Sequence, residues 1–240
     1  PGVYVKTLRG QNGDVDPGAT GAPEIIGYGG GTYEFPITSQ QLTLTTIAGQ
    51  SYTVRLRGLD INYDEIEEII TINGTTQTTT QSFFRLNEFN VIVPGIKTGD
   101  LTITHPDGAT RTIVIAPDAA NMQYNIYTCP NGYSMAISVQ SASVGKNKDA
   151  DIFFRTEVWT PNGIIKDLST QLPIYEDTVI ADFKNGLNPT LLPSKSSVML
   201  EAGTLNVNTR VTSYGSLIFI RDDILAAYVN AINIGIQDIL

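Results

Sequence analysis

From Gln41 onward the chain is cut at short intervals by turn-forming clusters, and the pieces between them alternate apolar and polar residues. Tyr52, Val54 and Leu56 alternate with Thr53, Arg55 and Arg57; Leu42 and Leu44 alternate with Thr43 and Thr45. A strand sends successive side chains to opposite faces, so a period of two marks a strand with one face buried. The punctuation fits: Asn73-Gly74, Pro94-Gly95, His105-Pro106-Asp107-Gly108, Pro117-Asp118 and Pro161-Asn162-Gly163 are turn chemistry. Further strands are predicted over 83–93, 101–104, 111–115, 123–129, 133–144, 152–159, 164–168, 173–183, 197–201 and 209–220. The run 65–72 fits either a helix or a strand; Asn73-Gly74 after it points to a strand entering a hairpin. This rhythm predicts an all-β chain of β-sandwich or jelly-roll-like domains.

The two ends differ from the middle. Residues 1–40 combine Gly10, Gly13, Gly18, Gly21 and Gly27 with Pro17, Pro23 and Pro36 and show little alternation. That segment reads as an extended N-terminal arm that orders against a neighbouring subunit, spanning up to about 130 Å if fully extended. At the other end Ile224, Leu225, Tyr228, Val229 and Ile232 recur at helical spacing behind Asp222, which is placed to cap a short C-terminal helix. The expected organisation is an arm over 1–40, a β domain over 41–117, a β-sandwich or jelly roll over 118–221, and a helix or tail over 222–240.

Composition narrows the function. The net charge is −9 at pH 7, and Lys and Arg are not clustered. Binding to phosphate backbones or anionic membranes needs the opposite, so neither direct nucleic-acid contact nor a membrane is expected. The only cysteine, Cys129, leaves no intrachain disulfide to form, which fits assembly in a reducing cytoplasm. The first residues show no apolar signal-like run.

The residues that carry chemistry are few. His105 is the one histidine; on a hairpin tip it reads as a solvated surface side chain, and no Gly-x-Ser-x-Gly elbow accompanies it. Cys129, at the end of a strand, reads as a small buried residue. The densest carboxylates are Asp60, Asp64, Glu65, Glu67 and Glu68. Paired carboxylates can cleave a glycosidic bond, and the spacing of Asp60, Asn62 and Asp64 resembles the first half of a Ca²⁺ loop. Glu65 stands where that loop needs glycine, and Thr71 where it needs its last carboxylate. Asp60, Asn62 and Asp64 are thus a weak candidate for a metal, and a solvated acidic turn is the main reading. The run Gly27-Tyr28-Gly29-Gly30-Gly31-Thr32 lacks the lysine of a phosphate-binding loop and reads as a hinge. Tyr124, Tyr127, Tyr133 and Trp159 are candidates for stacking on sugars, with core packing as the alternative. No catalytic residue, cofactor or enzyme activity is expected.

One stretch resembles a known family. Gly58-Leu59-Asp60-Ile61-Asn62-Tyr63-Asp64-Glu65 is followed by Asn73-Gly74-Thr75-Thr76 and then by Ser82-Phe83-Phe84-Arg85-Leu86-Asn87. It is similar to virion structural proteins of tailed phages of the marine and cyanobacterial type. Ile152-Phe153-Phe154-Arg155 and Val179-Ile180-Ala181-Asp182-Phe183-Lys184 extend the likeness more loosely. The resemblance implies a non-enzymatic particle component, such as a capsid decoration or cement subunit, assembled in the host cytoplasm as a homo-oligomer. Its partners would be other virion proteins, such as the major capsid protein or neck and tail proteins. A tail or neck component, or a glycan- or receptor-binding module, is the alternative.

Overall fold

The computed structural model describes residues 2–16, 23–108, 111–145, 148–160, 163–175, 191–204, 206 and 208–227. Its strands are β1 (Val3–Val15), β2 (Glu24–Ile25), β3 (Gln40–Thr45), β4 (Ser51–Leu59), β5 (Glu65–Asn73), β6 (Thr76–Phe83), β7 (Arg85–Ile96) and β8 (Leu101–Thr104). They continue as β9 (Thr112–Ile115), β10 (Ile126–Thr128), β11 (Tyr133–Val144), β12 (Asp149–Thr160), β13 (Gly163–Tyr175), β14 (Leu191–Leu192), β15 (Ser197–Gly203) and β16 (Thr209–Arg221). A short helix, α1, covers 222–227. The chain is all-β and built as sandwiches, as its turn rhythm predicts.

Among the described residues four antiparallel sheets make two lobes. In lobe I, β6-β3-β8-β9 packs on β5-β4-β7. The inward positions of these alternating strands, among them Leu42, Leu44, Val54, Leu56, Phe83 and Phe89, form one core. In lobe II, β1-β16-β11-β14 packs on β10-β15-β12-β13, around Leu8, Val15, Met135, Ile152, Leu200 and Phe219. Burying such side chains is worth about 1.5–3 kcal/mol each, which is why the alternation is so readable.

Lobe I is inserted into lobe II. Strands β2 and β10 lie end to end along one edge of β15: β2 pairs with Glu201 and Ala202, β10 with residues 197–199. Where they meet, Ile26 N–H donates to Leu200 O at 3.0 Å, Leu200 N–H to Asn125 O at 3.0 Å, and Asn125 N–H to Ile26 O at 3.3 Å. The chain therefore leaves lobe II at Ile26, builds β3 to β9, and returns beside its point of exit. The outgoing turn holds Gly29, Gly30 and Gly31 at φ +91°, +56° and +80°. Three successive left-handed residues are strained for any side chain with a Cβ, so the glycine run serves as a fixed turn here. Gly31 O accepts from Ile25 N–H at 2.9 Å.

Four expectations need correction. The arm over 1–40 is not an arm along residues 3–15, because β1 is a 13-residue strand of the chain's own lobe II, paired with β16. Its inward positions include Gly10 and Asn12, so no row of large apolar residues announced it. Gly10 is needed there, since a Cβ would lie 2.3 Å from Ile26 O. Second, Asn73-Gly74 does not close a two-stranded hairpin: β5 and β6 belong to opposite sheets of lobe I. Side chains join them instead, with Glu68 accepting the N–H groups of Thr80 and Gln81 at 2.8 and 2.9 Å. Third, β7 runs through Pro94-Gly95 to Ile96, which a terminal strand tolerates. Fourth, β13 is continuous over Gly163–Tyr175 where a break before Pro173 was expected. The rest of the expected 173–183 strand, and the tail from 228, lie outside the described residues. At α1, Asp222 accepts a hydrogen bond from Ser134 Oγ at 2.7 Å, while Asp223 accepts from Ile224 N–H at 2.8 Å.

Candidate functional site

The two ends of the 58–87 stretch singled out by its motifs, residues 58–64 and 84–87, fold into the joint between the lobes, while Asn73-Gly74 lies at the opposite end of β5, beside Ser51. β4 and β7 come so close at Gly58 that a Cβ would lie 2.0 Å from Arg85 O. Beyond Gly58, Leu59, Tyr63 and Phe84 form a small core of their own, with the Tyr63 and Phe84 rings edge to face at 5.2 Å. The Arg85 guanidinium is buried over the Phe84 ring at 4.0 Å and donates to Pro36 O and, at 3.0 Å, to Phe84 O. Burial pushes its pKa down from the ordinary arginine value, with Tyr63 and Tyr33 nearby opposing that shift.

From this base Asn87 reaches lobe II. Its Nδ2 donates to Thr128 O at 2.9 Å, and its Oδ1 accepts Thr128 N–H at 3.0 Å. A side-chain amide thus pairs with β10 as a neighbouring strand would. Both groups are buried, so the pairing satisfies two backbone groups that water cannot reach. Asn131 N–H adds a bond to Tyr63 O at 2.8 Å. Sequence reasoning missed Asn87, Thr128 and Asn131 in this role, and a lone amide in a strand offers no periodic signal that could have found them.

Asp60, Asn62 and Asp64 are brought together, but in a closed turn. Asp60 Oδ1 accepts the N–H groups of Asn62 at 2.8 Å and Asp64 at 3.0 Å, and Tyr63 takes φ +66°. Asp64 Oδ1 accepts from Asn131 Nδ2 at 3.4 Å. Among the described residues no group of three or more His, Cys, Asp or Glu stands together to hold a metal ion. The neighbouring carboxylates are dispersed: Glu67 pairs with Arg57 at 2.5 Å, while Glu68 turns inward.

His105 is not the solvated tip residue expected of it; it is 4% exposed. The segment running into β3 folds over the β8–β9 hairpin and covers it. The His105 Nε2 faces Phe83 O at 3.0 Å and its Nδ1 faces Asp107 Oδ1 at 2.8 Å. Asp107 Oδ2 accepts the N–H groups of Ile37 at 2.8 Å and Thr38 at 3.1 Å. Burial works against the charged form of Asp107, but those donors and His105 outweigh it and hold its carboxyl below the usual range. Cys129 is buried, donates to Tyr133 O at 3.0 Å, and has its thiol pKa pushed well up by burial. A thiol in that state is a poor nucleophile. Tyr124 and Tyr127 are core residues at 2% and 3% exposure, so neither offers a face to a sugar. Tyr133 is half-buried against Tyr4, and the Trp159 side chain lies outside the described residues.

Beside the joint two cavities, of about 410 and 340 Å³, separate β1 from lobe I. Residues 6–9 of β1 line the larger on one side, and residues 87–90 of β7 with Asn121 and Met122 on the other. Lys6, Asn87, Glu88 and Tyr127 line both cavities, and Lys6 forms an ion pair with Glu88. β1 is the terminal strand of its sheet, and its outer edge faces this cleft. The pairing fixes which backbone groups point outward. Gly2 O accepts Arg221 N–H at 2.8 Å, and the register runs unbroken from Val3↔Ile220 to Asn12↔Val211. Bonded pairs alternate along an antiparallel ladder, so even-numbered residues bond β16 and odd-numbered ones turn away. The N–H and C=O of Thr7 and Arg9 therefore point toward the cleft.

Comparison with protein-family models finds no match, and comparison with curated proteins finds none either. Among solved structures, "Structure of infectious bursal disease virus Gx strain" aligns over 90% of this chain and 72% of that one, with 11% identity and a TM-score of 0.24. "Crystal structure of infectious bursal disease virus VP2 subviral particle" aligns over 91% and 72%, with 8% identity and a TM-score of 0.20.

Proposed function

We propose that this chain is a non-enzymatic structural subunit of a virus particle, of the tailed-phage kind that its 58–87 segment resembles. Within that class a capsid decoration or cement subunit, working as a homo-oligomer on the major capsid protein, is the leading reading; a neck or tail component is the alternative. One observation carries it: the stretch that bears the resemblance supplies bonds that join the two sandwiches, from Asn87 to the backbone of Thr128 and from Tyr63 O to Asn131 N–H, while Gly58, Phe84 and Arg85 pack within lobe I beneath them. The side chains first considered for chemistry have structural duties as well. His105 and Asp107 hold the segment before β3, Cys129 fills a core, and Asp60 closes a turn. A braced pair of sandwiches with an open strand edge is suited to bearing load between neighbours.

The test is sedimentation. Lysate from the producing host is run on a density gradient, and fractions are probed with an antibody to this chain. The reading requires the chain to travel with the particle band in fixed proportion to the coat protein. A chain confined to the soluble fractions contradicts it.

A further inference from the structure

We propose that the cleft beside β1 receives one extended, acidic peptide segment of a neighbouring polypeptide, which adds to β1 as a further strand. This deepens the reading of the chain as a particle subunit by naming how a partner docks. Backbone chemistry comes first. Thr7 and Arg9 aim unpaired N–H and C=O groups into the cleft, and among the described residues nothing bonds them. An edge of that kind is a template for one more strand. The opposite wall carries Asn90 and Asn121. Side-chain amides can bond the far side of such a strand, as Asn87 already does with the backbone of Thr128.

Shape decides that the occupant is a lone segment. A cavity of about 410 Å³ lies in the range of ligand pockets and suits a few extended residues. Residues 87–90 stand across from β1, so a strand with its own sheet behind it cannot follow; a tail or loop can. Charge decides its character. Glu88 neutralises Lys6, whereas Arg9 has no carboxylate partner among the described residues and rests 5.9 Å over the Tyr214 ring. An uncompensated cation at the edge of a chain of net charge −9 favours an acidic residue opposite it. Leu8, Phe89 and Met122 give the alternate side chains of the strand an apolar wall. Val3 and Val5 continue the same edge, 52% and 59% exposed, and would be shielded by a longer segment.

The test uses the full chain and a synthetic probe, an acetylated and amidated nonapeptide alternating valine with aspartate and threonine. Recognition through the backbone tolerates sequence, so this probe is sufficient. Amide exchange is followed by NMR at millimolar peptide. Thr7 and Arg9 should slow by about tenfold or more while Leu8, bonded to β16, does not change. A probe with lysine in place of aspartate should bind about tenfold more weakly, and Arg9→Glu should reverse that preference. Thr7→Pro removes an outward N–H that β16 does not use, and should abolish binding. Unprotected Thr7 and Arg9 at millimolar peptide would overturn the proposal, as would binding indifferent to both variants. The assay does not depend on particles: a chain absent from virions that binds the probe refutes the virion reading alone, and a virion-borne chain that ignores it refutes the cleft alone.

Discussion

Replacing Asn87 by leucine should unlatch the lobes at a cost that can be worked from the joint. The side chain keeps its size but loses both bonds to Thr128, whose N–H at 3.0 Å and C=O at 2.9 Å then face an apolar group. Thr128 is 1% exposed, so water does not replace the lost partners. Each buried backbone group left unpaired costs about 1–3 kcal/mol, giving roughly 2–6 kcal/mol together. For a chain of this length that corresponds to a fall in Tm of about 4–24 °C. Differential scanning calorimetry of the full chain reads it directly, with Thr7→Ala as an exposed control expected within about 0.5 kcal/mol of wild type. Amide exchange at Thr128 and Asn131 should accelerate before that of the lobe cores, because the damage lies between them. If Asn87→Leu melts with the control and Thr128 stays protected, the amide does not hold the joint and the reasoning fails.

Other outcomes follow from single residues. Gly58→Ala places a methyl 2.0 Å from Arg85 O and should cost more than about 3 kcal/mol, seen as loss of soluble, cooperatively melting protein. Glu201 is fully buried with Arg155 at 2.9 Å as its one ion-pair partner among the described residues, and burial raises its pKa despite that partner. A carboxyl raised above its unfolded value adds stability that is complete below the unfolded pKa and is lost as pH rises through the folded one. Wild type should therefore lose stability relative to Glu201→Gln as urea midpoints are taken from about pH 4 to about pH 8; parallel curves would contradict this. Cys129 should resist a thiol reagent in the native chain at neutral pH and react fully in denaturant, and rapid native labelling would disprove its burial.

How much of this was readable from the residues depends on where each one finds its partner. β4, β11 and β16 were legible because their apolar residues alternate against a single core. β1 was not, because Gly10 and Asn12 take inward positions that close packing against Ile26 and Glu24 requires. Asn73-Gly74 gave the turn correctly, yet it could not show that the next strand joins the other sheet, which Glu68 and the bonding of Thr79 to Leu42 decide. His105 was misread because its cover, the segment around Pro36 to Thr38, is distant in sequence. The 58–87 stretch stood out by resemblance, but its role as a joint appears only when Asn87 meets Thr128, 41 residues away. The same holds for the cleft: strand parity makes Thr7 and Arg9 available, and that parity exists only once β16 is in place.

The most direct test of the account compares amide exchange of this chain free in solution with the same chain in purified particles. The account predicts that its peptides are present in the particle in fixed proportion to the coat protein. It also predicts that Val5, Thr7 and Arg9 exchange freely in the isolated chain and become protected in the particle. Absence of the chain from purified particles, or unchanged exchange along β1 within them, would contradict it.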